Sequence, residues 1–152
     1  MFLPVVLSLG VIFVTILIHG IGTAWSVQYL SNKHSVIDNK AGLRYALNTL
    51  SLTAVFLMLL HFVEIVIWAI VFMVIPDINQ LTTFEQSIYF SMVTYATLGY
   101  GDITLGPHWR IMSGFCAMDG ILLFGWSTAM FFSAVQKILG QMNILSKGNK
   151  AQ

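Results

Sequence analysis

Three long apolar runs constrain this chain more than any other feature of its sequence. They extend from about Phe2 to Ser26, from about Leu50 to Ile75 and from about Ile111 to Gln136. As a helix, each is long enough to cross about 30 Å of hydrocarbon, which takes about 20 residues. The runs are continuous rather than alternating, which argues against a membrane β-barrel. We therefore predict an all-α integral membrane protein with three transmembrane helices.

The composition agrees with a membrane protein and excludes several other classes. Only 9% of residues are charged and 57% are hydrophobic, against about 25% and about 45–50% in soluble domains. A net charge of +1 leaves no basic face for nucleic acid, and the single cysteine, Cys116, excludes a disulfide framework. The first run begins Met-Phe-Leu-Pro with no basic residue and exceeds the length of a signal peptide, so we expect a retained span rather than a cleaved one.

The basic residues predict how the chain crosses the membrane. Of the seven basic residues, only Arg110 lies in the segment between the second and third spans. The other six fall on the opposite side, after the first or the third span: Lys33, Lys40, Arg44, Lys137, Lys147 and Lys150. Because basic segments stay in the cytoplasm, we expect a plasma-membrane or inner-membrane protein with its N-terminus outside and its C-terminus cytoplasmic.

A fourth apolar stretch, from Phe84 to Ala96, is too short to cross a bilayer and predicts a re-entrant helix. Thr83 and Gln86 have the spacing of a capping box, so the helix is expected to begin near Phe84. Its C-terminal end would then point toward the membrane centre, where the negative end of the helix dipole favours a cation.

The segment after this short helix carries the chemistry. Gly99 and Gly101 are spaced by two and can adopt left-handed dihedral angles. A chain that alternates right-handed and left-handed conformations can aim successive carbonyls in one direction. Stacked rings of such oxygens replace the water shell of a dehydrated cation, and non-helical backbone at membrane depth is tolerated only in such buried or water-lined places.

Residues 97–102, Thr-Leu-Gly-Tyr-Gly-Asp, resemble the Thr-Val-Gly-Tyr-Gly-Asp selectivity filter of the potassium-channel pore-domain family at five of six positions. The resemblance covers about Leu50 to Ile138. Three positions depart from the family pattern. Leu98 replaces Val or Ile, Ala96 replaces a frequent Thr, and Val93 stands where some members have an acid.

The resemblance implies an ion path built from backbone oxygens. The K⁺ ligands would be the carbonyls of Thr97, Leu98, Gly99 and Tyr100 together with the Thr97 hydroxyl. Gly101 and Asp102 would complete the filter, with Asp102 at the outer mouth. K⁺ is then the transported ion, and no organic cofactor is implied. Four copies are needed because one loop supplies a quarter of each ring.

Two aromatic residues are expected to support the filter from the short helix. The resemblance implies that Tyr100 points away from the ion and packs against Tyr89 and Phe90. Ordinary packing against lipid or core is the alternative for both residues.

These predictions divide the chain into four parts. Residues 1–27 form an N-terminal transmembrane helix, 28–47 a cytoplasmic loop, 48–138 the pore domain and 139–152 a cytoplasmic tail. Within the pore domain we predict an outer helix at 50–75, a pore helix at 84–96, the filter at 97–102 and an inner helix at 110–138.

The third span is expected to line the cavity and form the gate. Gly120 would be either the point where this helix bends or a site of close helix packing. With Phe124 turned toward the pore, helical periodicity places a set of residues on the same face: Ile121, Thr128, Phe131, Phe132 and Val135. Thr128 would contact water, and Phe131 or Phe132 would form a hydrophobic constriction. Packing against lipid or other helices is the alternative for these phenylalanines.

Two acidic residues, Glu64 and Asp119, fall inside the spans at similar depths, and His61 shares a helix face with Glu64. Because charge is costly inside a membrane, we expect His61, Glu64 and Asp119 to form a hydrogen-bonded cluster whose protonation tunes gating. The alternative is a pair of neutral acids that only hold the spans together. His19 is expected either to join a partner or to lie near the cytoplasmic interface.

The sequence thus predicts a potassium channel, not an enzyme, that assembles as a homotetramer in lipid and binds no nucleic acid. Leu98 and Ala96 motivate one alternative, a weakly selective cation channel on the same scaffold. A second alternative is an accessory subunit of a larger channel. An intramembrane metalloenzyme using His19, His61, Glu64 and Asp119 is disfavoured, since it would ignore the filter and no nucleophile is apparent.

Overall fold

The fold consists of four helices, as a computed structural model describes for residues 2–34 and 43–148. Within these residues every regular element is an α-helix: α1 (Phe2–His34), α2 (Leu43–Val74), α3 (Phe84–Tyr95) and α4 (Arg110–Gly148). Helices α1, α2 and α4 are long and apolar enough to cross a membrane, and α3 is short. The predicted class, an all-α membrane protein with three spanning helices, is confirmed.

The long helices continue beyond the apolar runs from which they were predicted. Helix α1 reaches His34 and α2 begins at Leu43, so most of the predicted loop at 28–47 is helical. Helix α4 reaches Gly148, so the predicted tail at 139–152 begins as helix. The apolar pattern marks only the part of a helix that lies in lipid, whereas backbone hydrogen bonding continues into water. Lys40 and Lys150 lie outside the described residues.

The ends of the short helix follow local sequence signals. The Thr83 hydroxyl accepts a 3.2 Å hydrogen bond from the backbone N–H of Gln86, and the Gln86 side chain accepts one from the backbone N–H of Thr83. This reciprocal capping box starts α3 at Phe84, as predicted. Upstream, α2 ends at Val74, two residues before Pro76, because the residue preceding a proline disfavours helical angles.

Helix α3 packs between α2 and α4 at one end of the molecule. Its buried residues join a core of aromatic side chains, in which the ring of Phe72 lies 5.5 Å from Trp68 and 5.2 Å, edge to face, from Phe90. Tyr95, the last residue of α3, is fully buried in the same core. The core therefore fixes where the segment after α3 begins.

Helix α1 packs against both α2 and α4 and is part of the same unit. Gly22 of α1 faces Leu60 of α2 so closely that a Cβ at Gly22 would lie 2.9 Å from a methyl carbon of Leu60. Small residues at helix contacts let membrane helices approach in this way. The outward faces of the long helices carry exposed apolar side chains such as Phe13 and Leu59, which suit contact with lipid.

Candidate functional site

The loop that follows α3, residues 97–102, alternates in backbone handedness. Thr97, Gly99 and Gly101 have φ angles of 60°, 56° and 78°, while no other described residue between them has a positive φ. We call residues 97–102 the glycine loop. Its alternation is the backbone pattern expected from the sequence, and it places three residues in the left-handed region within six positions.

Hydrogen bonds hold the glycine loop against the end of α3. The carbonyl of Val93 accepts from the backbone N–H groups of Leu98 at 2.9 Å and of Gly99 at 3.3 Å, and the carbonyl of Thr94 accepts from Thr97 at 2.9 Å. The last carbonyls of a helix have no partner within it, and the loop satisfies them here. The start of the loop and the end of α3 therefore form one rigid piece.

Thr97 is held in a conformation that non-glycine residues rarely adopt. Its φ of 60° costs about 1–2 kcal/mol relative to the right-handed region. The hydrogen bonds on both sides of Thr97 impose this angle. Such strain persists where the surroundings over-determine the backbone, and it is concentrated at functional sites.

The C-terminal end of the glycine loop is tied to α3 by a side-chain contact. The phenol of Tyr89 donates a 2.7 Å hydrogen bond to Oδ2 of Asp102. This bond lowers the pKa of the Asp102 carboxyl and raises the pKa of the Tyr89 phenol, because it favours the charged acid and the neutral phenol.

In the structure of a single chain, the contacts of Tyr89 and Phe90 differ from the packing against Tyr100 that was expected. Phe90 does not cover Tyr100: its ring packs on Phe72 and is 95% buried in the core. Tyr89 contributes a hydrogen bond to Asp102 rather than a packing surface. Tyr100 is 68% exposed and Leu98 is 59% exposed. The side chains of Leu98 and Tyr100 are thus largely exposed on a single chain.

Gly120 lets α4 approach the glycine loop. A Cβ at this position would overlap the backbone carbonyl oxygen of Tyr95 and would lie 2.8 Å from the carbonyl carbon. Close packing against the end of α3, one of the two expected roles, therefore explains the glycine. A Cβ at Gly125, by contrast, would meet no atom within 4 Å. Whether α4 bends at Gly120 stays a prediction.

The exposed face of α4 is displaced from the face predicted to line the cavity. Phe124 is partly buried, with its ring 4.4 Å from the His61 ring and 5.5 Å from the Tyr95 ring, and its pore-facing position stays a prediction. Ile121, Thr128 and Phe132 are exposed, while Phe131 and Val135 are only partly exposed. Periodicity gives the relative positions around a helix, but packing decides which side is buried.

Beneath the glycine loop lies a buried polar cluster that joins all four helices. Glu64 of α2 is its centre, with Oε1 2.7 Å from Nδ1 of His19 and Oε2 3.0 Å from Nδ1 of His61. The Tyr95 phenol, at the end of α3, donates a 2.6 Å hydrogen bond to Oε2. Nε2 of His19 lies 3.1 Å from Oγ of Ser127 on α4. We call these five residues the Glu64 cluster.

Asp119 lies beside the Glu64 cluster and is tied to two other helices. Its Oδ2 accepts hydrogen bonds from the Thr15 hydroxyl at 2.9 Å and from Nε1 of Trp68 at 2.8 Å. The predicted contact between His61 and Glu64 is present. Asp119, which was expected in the same cluster, forms these two hydrogen bonds with Thr15 and Trp68 instead. Asp119 is buried. The effect of protonation on gating stays a prediction.

No sequence pattern identified Thr15, Tyr95 or Ser127 as members of these contacts, and His19 was expected only to join an unspecified partner or to lie near the cytoplasmic interface. A pattern in the first span could have indicated part of them, because its buried polar residues recur at helical spacing: Ser8, Thr15, His19, Thr23 and Ser26. A polar stripe on a spanning helix predicts a contact with other polar groups inside the protein. The partners of that stripe lie far away in sequence and could not be identified from it.

Comparisons with known proteins agree with this arrangement. Residues 55–137 match the model of a family described as "Ion channel". Over 78 residues the chain is 32% identical to the potassium voltage-gated channel protein shk-1 of Caenorhabditis elegans. That match covers 48% of this chain and 15% of the nematode protein, so this chain spans a small part of that relative. No solved structure matches significantly.

Proposed function

The chain belongs to the ion channel family, and from this premise we propose that it conducts K⁺ passively through a filter formed by the glycine loops of four copies. The observation that carries the proposal is the alternation of left-handed angles at Thr97, Gly99 and Gly101. Such a backbone can turn successive carbonyls to one side, and rings of carbonyls replace the water shell of K⁺. The carbonyls of residues 97–100 and the Thr97 hydroxyl would be the ligands.

The exposure of the glycine loop supports a homotetramer. A single loop leaves Leu98 and Tyr100 largely uncovered and provides only one oxygen at each level of a ring. A groove of about 610 Å³ between the loop and the outer half of α4 offers space for part of a neighbouring copy, and Thr97, Gly101 and Ser113 contribute to its walls. Four copies around one axis would cover these surfaces and complete each ring.

The exposed face of α4 is proposed to line the cavity below the filter. Thr128 supplies a hydroxyl group there, and Phe132, 59% exposed, is the better placed of the two phenylalanines for a hydrophobic constriction. The excess of basic residues after the first and third spans supports an external N-terminus and a cytoplasmic C-terminus. Asp102 then lies at the outer mouth, where its charge attracts cations.

One observation favours a second candidate, a weakly selective cation channel on the same scaffold. Leu98 stands in the glycine loop where the resembling filters carry Val or Ile, and Ala96 stands just before Thr97, where they often carry Thr. A longer side chain at Leu98 changes packing behind the carbonyls and therefore their spacing.

A flux assay with the purified full chain in liposomes tests the proposal. After crosslinking demonstrates a tetramer, K⁺ flux and Na⁺ flux are measured under matched gradients. We expect K⁺ flux that exceeds Na⁺ flux and is blocked by Ba²⁺. Gly99→Ala, which places a Cβ at a φ of 56°, should abolish the selectivity, whereas Gly125→Ala should retain it.

Each other outcome of this assay has a definite meaning. Equal K⁺ and Na⁺ flux through a folded tetramer supports the weakly selective channel and contradicts K⁺ selectivity. A chain that does not form a tetramer by itself but co-purifies with a larger channel contradicts the homotetramer and favours an accessory subunit. A tetramer without flux between pH 5 and pH 8, with or without an applied voltage, contradicts the proposed conduction.

A further inference from the structure

Three metal-ligating side chains from two different spans converge in the Glu64 cluster. His19 comes from α1, and His61 and Glu64 come from α2. One ligand atom from each residue lies within 4.8 Å of the other two, and all three residues are buried. Two of the separations are short, at 2.7 Å for His19 Nδ1 to Glu64 Oε1 and 3.0 Å for His61 Nδ1 to Glu64 Oε2.

The donor set suits one class of cation. Two imidazole nitrogens and one carboxylate are ligands of Zn²⁺ and related first-row dications, whereas Mg²⁺ and Ca²⁺ prefer oxygen alone. Bonds of about 2.0–2.1 Å in a tetrahedral site place ligand atoms about 3.3 Å apart. The present separations, from 2.7 Å to at most 4.8 Å, bracket that value. Side-chain adjustments that bring the three ligand atoms to this common spacing would therefore admit a cation.

One of the two histidines is oriented as histidines are around known metal sites, whereas Nε2 of His61 is buried without a hydrogen-bond partner among the described residues. A metal-bound histidine usually donates its second ring nitrogen to another group, and Nε2 of His19 lies 3.1 Å from Oγ of Ser127. The Tyr95 phenol donates a 2.6 Å hydrogen bond to Glu64 Oε2 and so orients this carboxylate. The three protein ligands leave the fourth position of a Zn²⁺ site open to water.

The charge of the region also suits a dication. Glu64 and Asp119 are both buried carboxyl groups, and when ionised they carry a formal charge of −2. Buried ions are stable only when paired, and one divalent cation balances two carboxylates.

We propose that His19, His61 and Glu64 bind one Zn²⁺-type dication per chain, with water as the fourth ligand. The ion would join the first span to the pore module next to the end of α3, where the Tyr95 phenol donates to Glu64. This site is separate from the proposed K⁺ path and does not depend on it.

Metal binding to the full-length, untagged protein tests the proposal. The chelator-treated protein in detergent is titrated with Co²⁺ and then with Zn²⁺. We expect one Co²⁺ per chain with the visible absorption band of four-coordinate cobalt, displacement of that band by Zn²⁺, and a higher melting temperature with Zn²⁺. X-ray absorption of the Zn²⁺ form should show imidazole scattering. A wild-type protein without stoichiometric binding, or without imidazole ligands, overturns the proposal.

Variants locate the bound ion. Glu64→Gln and His19→Asn keep hydrogen-bonding groups in place, and each should weaken Co²⁺ binding at least about tenfold, since even the loss of an outer partner costs about 10–100-fold. The matched control is His108→Asn, because His108 is an exposed histidine in a loop and should not contribute. Binding that survives in both Glu64→Gln and His19→Asn, or that is lost in His108→Asn, contradicts the site. If the variants fail to fold, the wild-type absorption spectrum still decides.

Discussion

The phenol of Tyr89 donates a 2.7 Å hydrogen bond to Asp102 Oδ2 and so joins the middle of α3 to the C-terminal end of the glycine loop. Backbone bonds from Leu98 and Gly99 to Val93 hold the inner part of the same loop. The loop is thus attached to one helix near both of its ends. These two attachments can hold the left-handed backbone angles of the loop in place without hydrogen bonds between residues of the loop.

Tyr89→Phe should change the titration of Asp102. The hydrogen bond lowers the pKa of the Asp102 carboxyl, so its removal should raise that pKa toward the ordinary value of about 3.9. Any stability from this bond is present above the ordinary pKa and is lost as the pH falls through the lowered one. Asp102 should therefore protonate at a higher pH in the variant, as measured by NMR of ¹³C-labelled aspartate carboxyls.

Tyr100→Phe is the control for that measurement, because it also removes a phenol near the C-terminal end of the loop but not the donor to Asp102. The signal is assigned with Asp102→Asn. An Asp102 titration curve that does not move in Tyr89→Phe would show that the bond is not maintained in the membrane.

Gly120→Ala should destabilise the protein, whereas Gly125→Ala should not. The new Cβ at Gly120 overlaps the carbonyl of Tyr95, and overpacking of this kind costs about 1–3 kcal/mol. At Gly125 the Cβ meets nothing, so the helix gains up to about 1 kcal/mol. Melting temperatures of the two purified variants give the comparison. A Gly120→Ala protein that melts like wild type but opens differently would instead favour a bend at this position.

Thr15→Val should weaken the attachment of α1 to α4. It removes the 2.9 Å hydrogen bond to Asp119, and such bonds between membrane helices contribute about 0.6 kcal/mol on average and up to about 1.7 kcal/mol. Thr53→Val is the matched control, since Thr53 is also buried and its hydroxyl donates a hydrogen bond within its own helix, to the carbonyl of Thr49. Free energies of unfolding in mixed detergents measure both. An equal loss in the two variants would count against the interhelix bond.

Thr128→Cys should react with a water-soluble thiol reagent, and Leu123→Cys should not. Thr128 lies on the exposed face of α4 that is proposed to line the cavity, whereas Leu123 is fully buried. The native Cys116 is also fully buried and gives a low background. The rate of modification in liposomes is compared with that in the denatured chain. Protection of Thr128→Cys from the aqueous reagent would place this face against lipid or another copy.

Features governed by neighbours in sequence were predictable. The capping box of Thr83 and Gln86 correctly located the start of α3, because both partners lie within one turn. The left-handed angles at Gly99 and Gly101 followed from the freedom of glycine. The left-handed angle at Thr97 was not indicated by its residue type, since it is imposed by hydrogen bonds from the loop to the end of α3.

The amino-acid sequence by itself determined three spanning helices, a short capped helix and a glycine-containing loop, since hydropathy, capping and backbone freedom act over a few residues. Only the tertiary structure decided that Phe124 packs against His61, that Phe90 joins the core and that His19 meets Glu64, 45 residues away. A helical pattern gives relative positions around one axis. Which face is buried, and against which partner, depends on how separate helices fill space together.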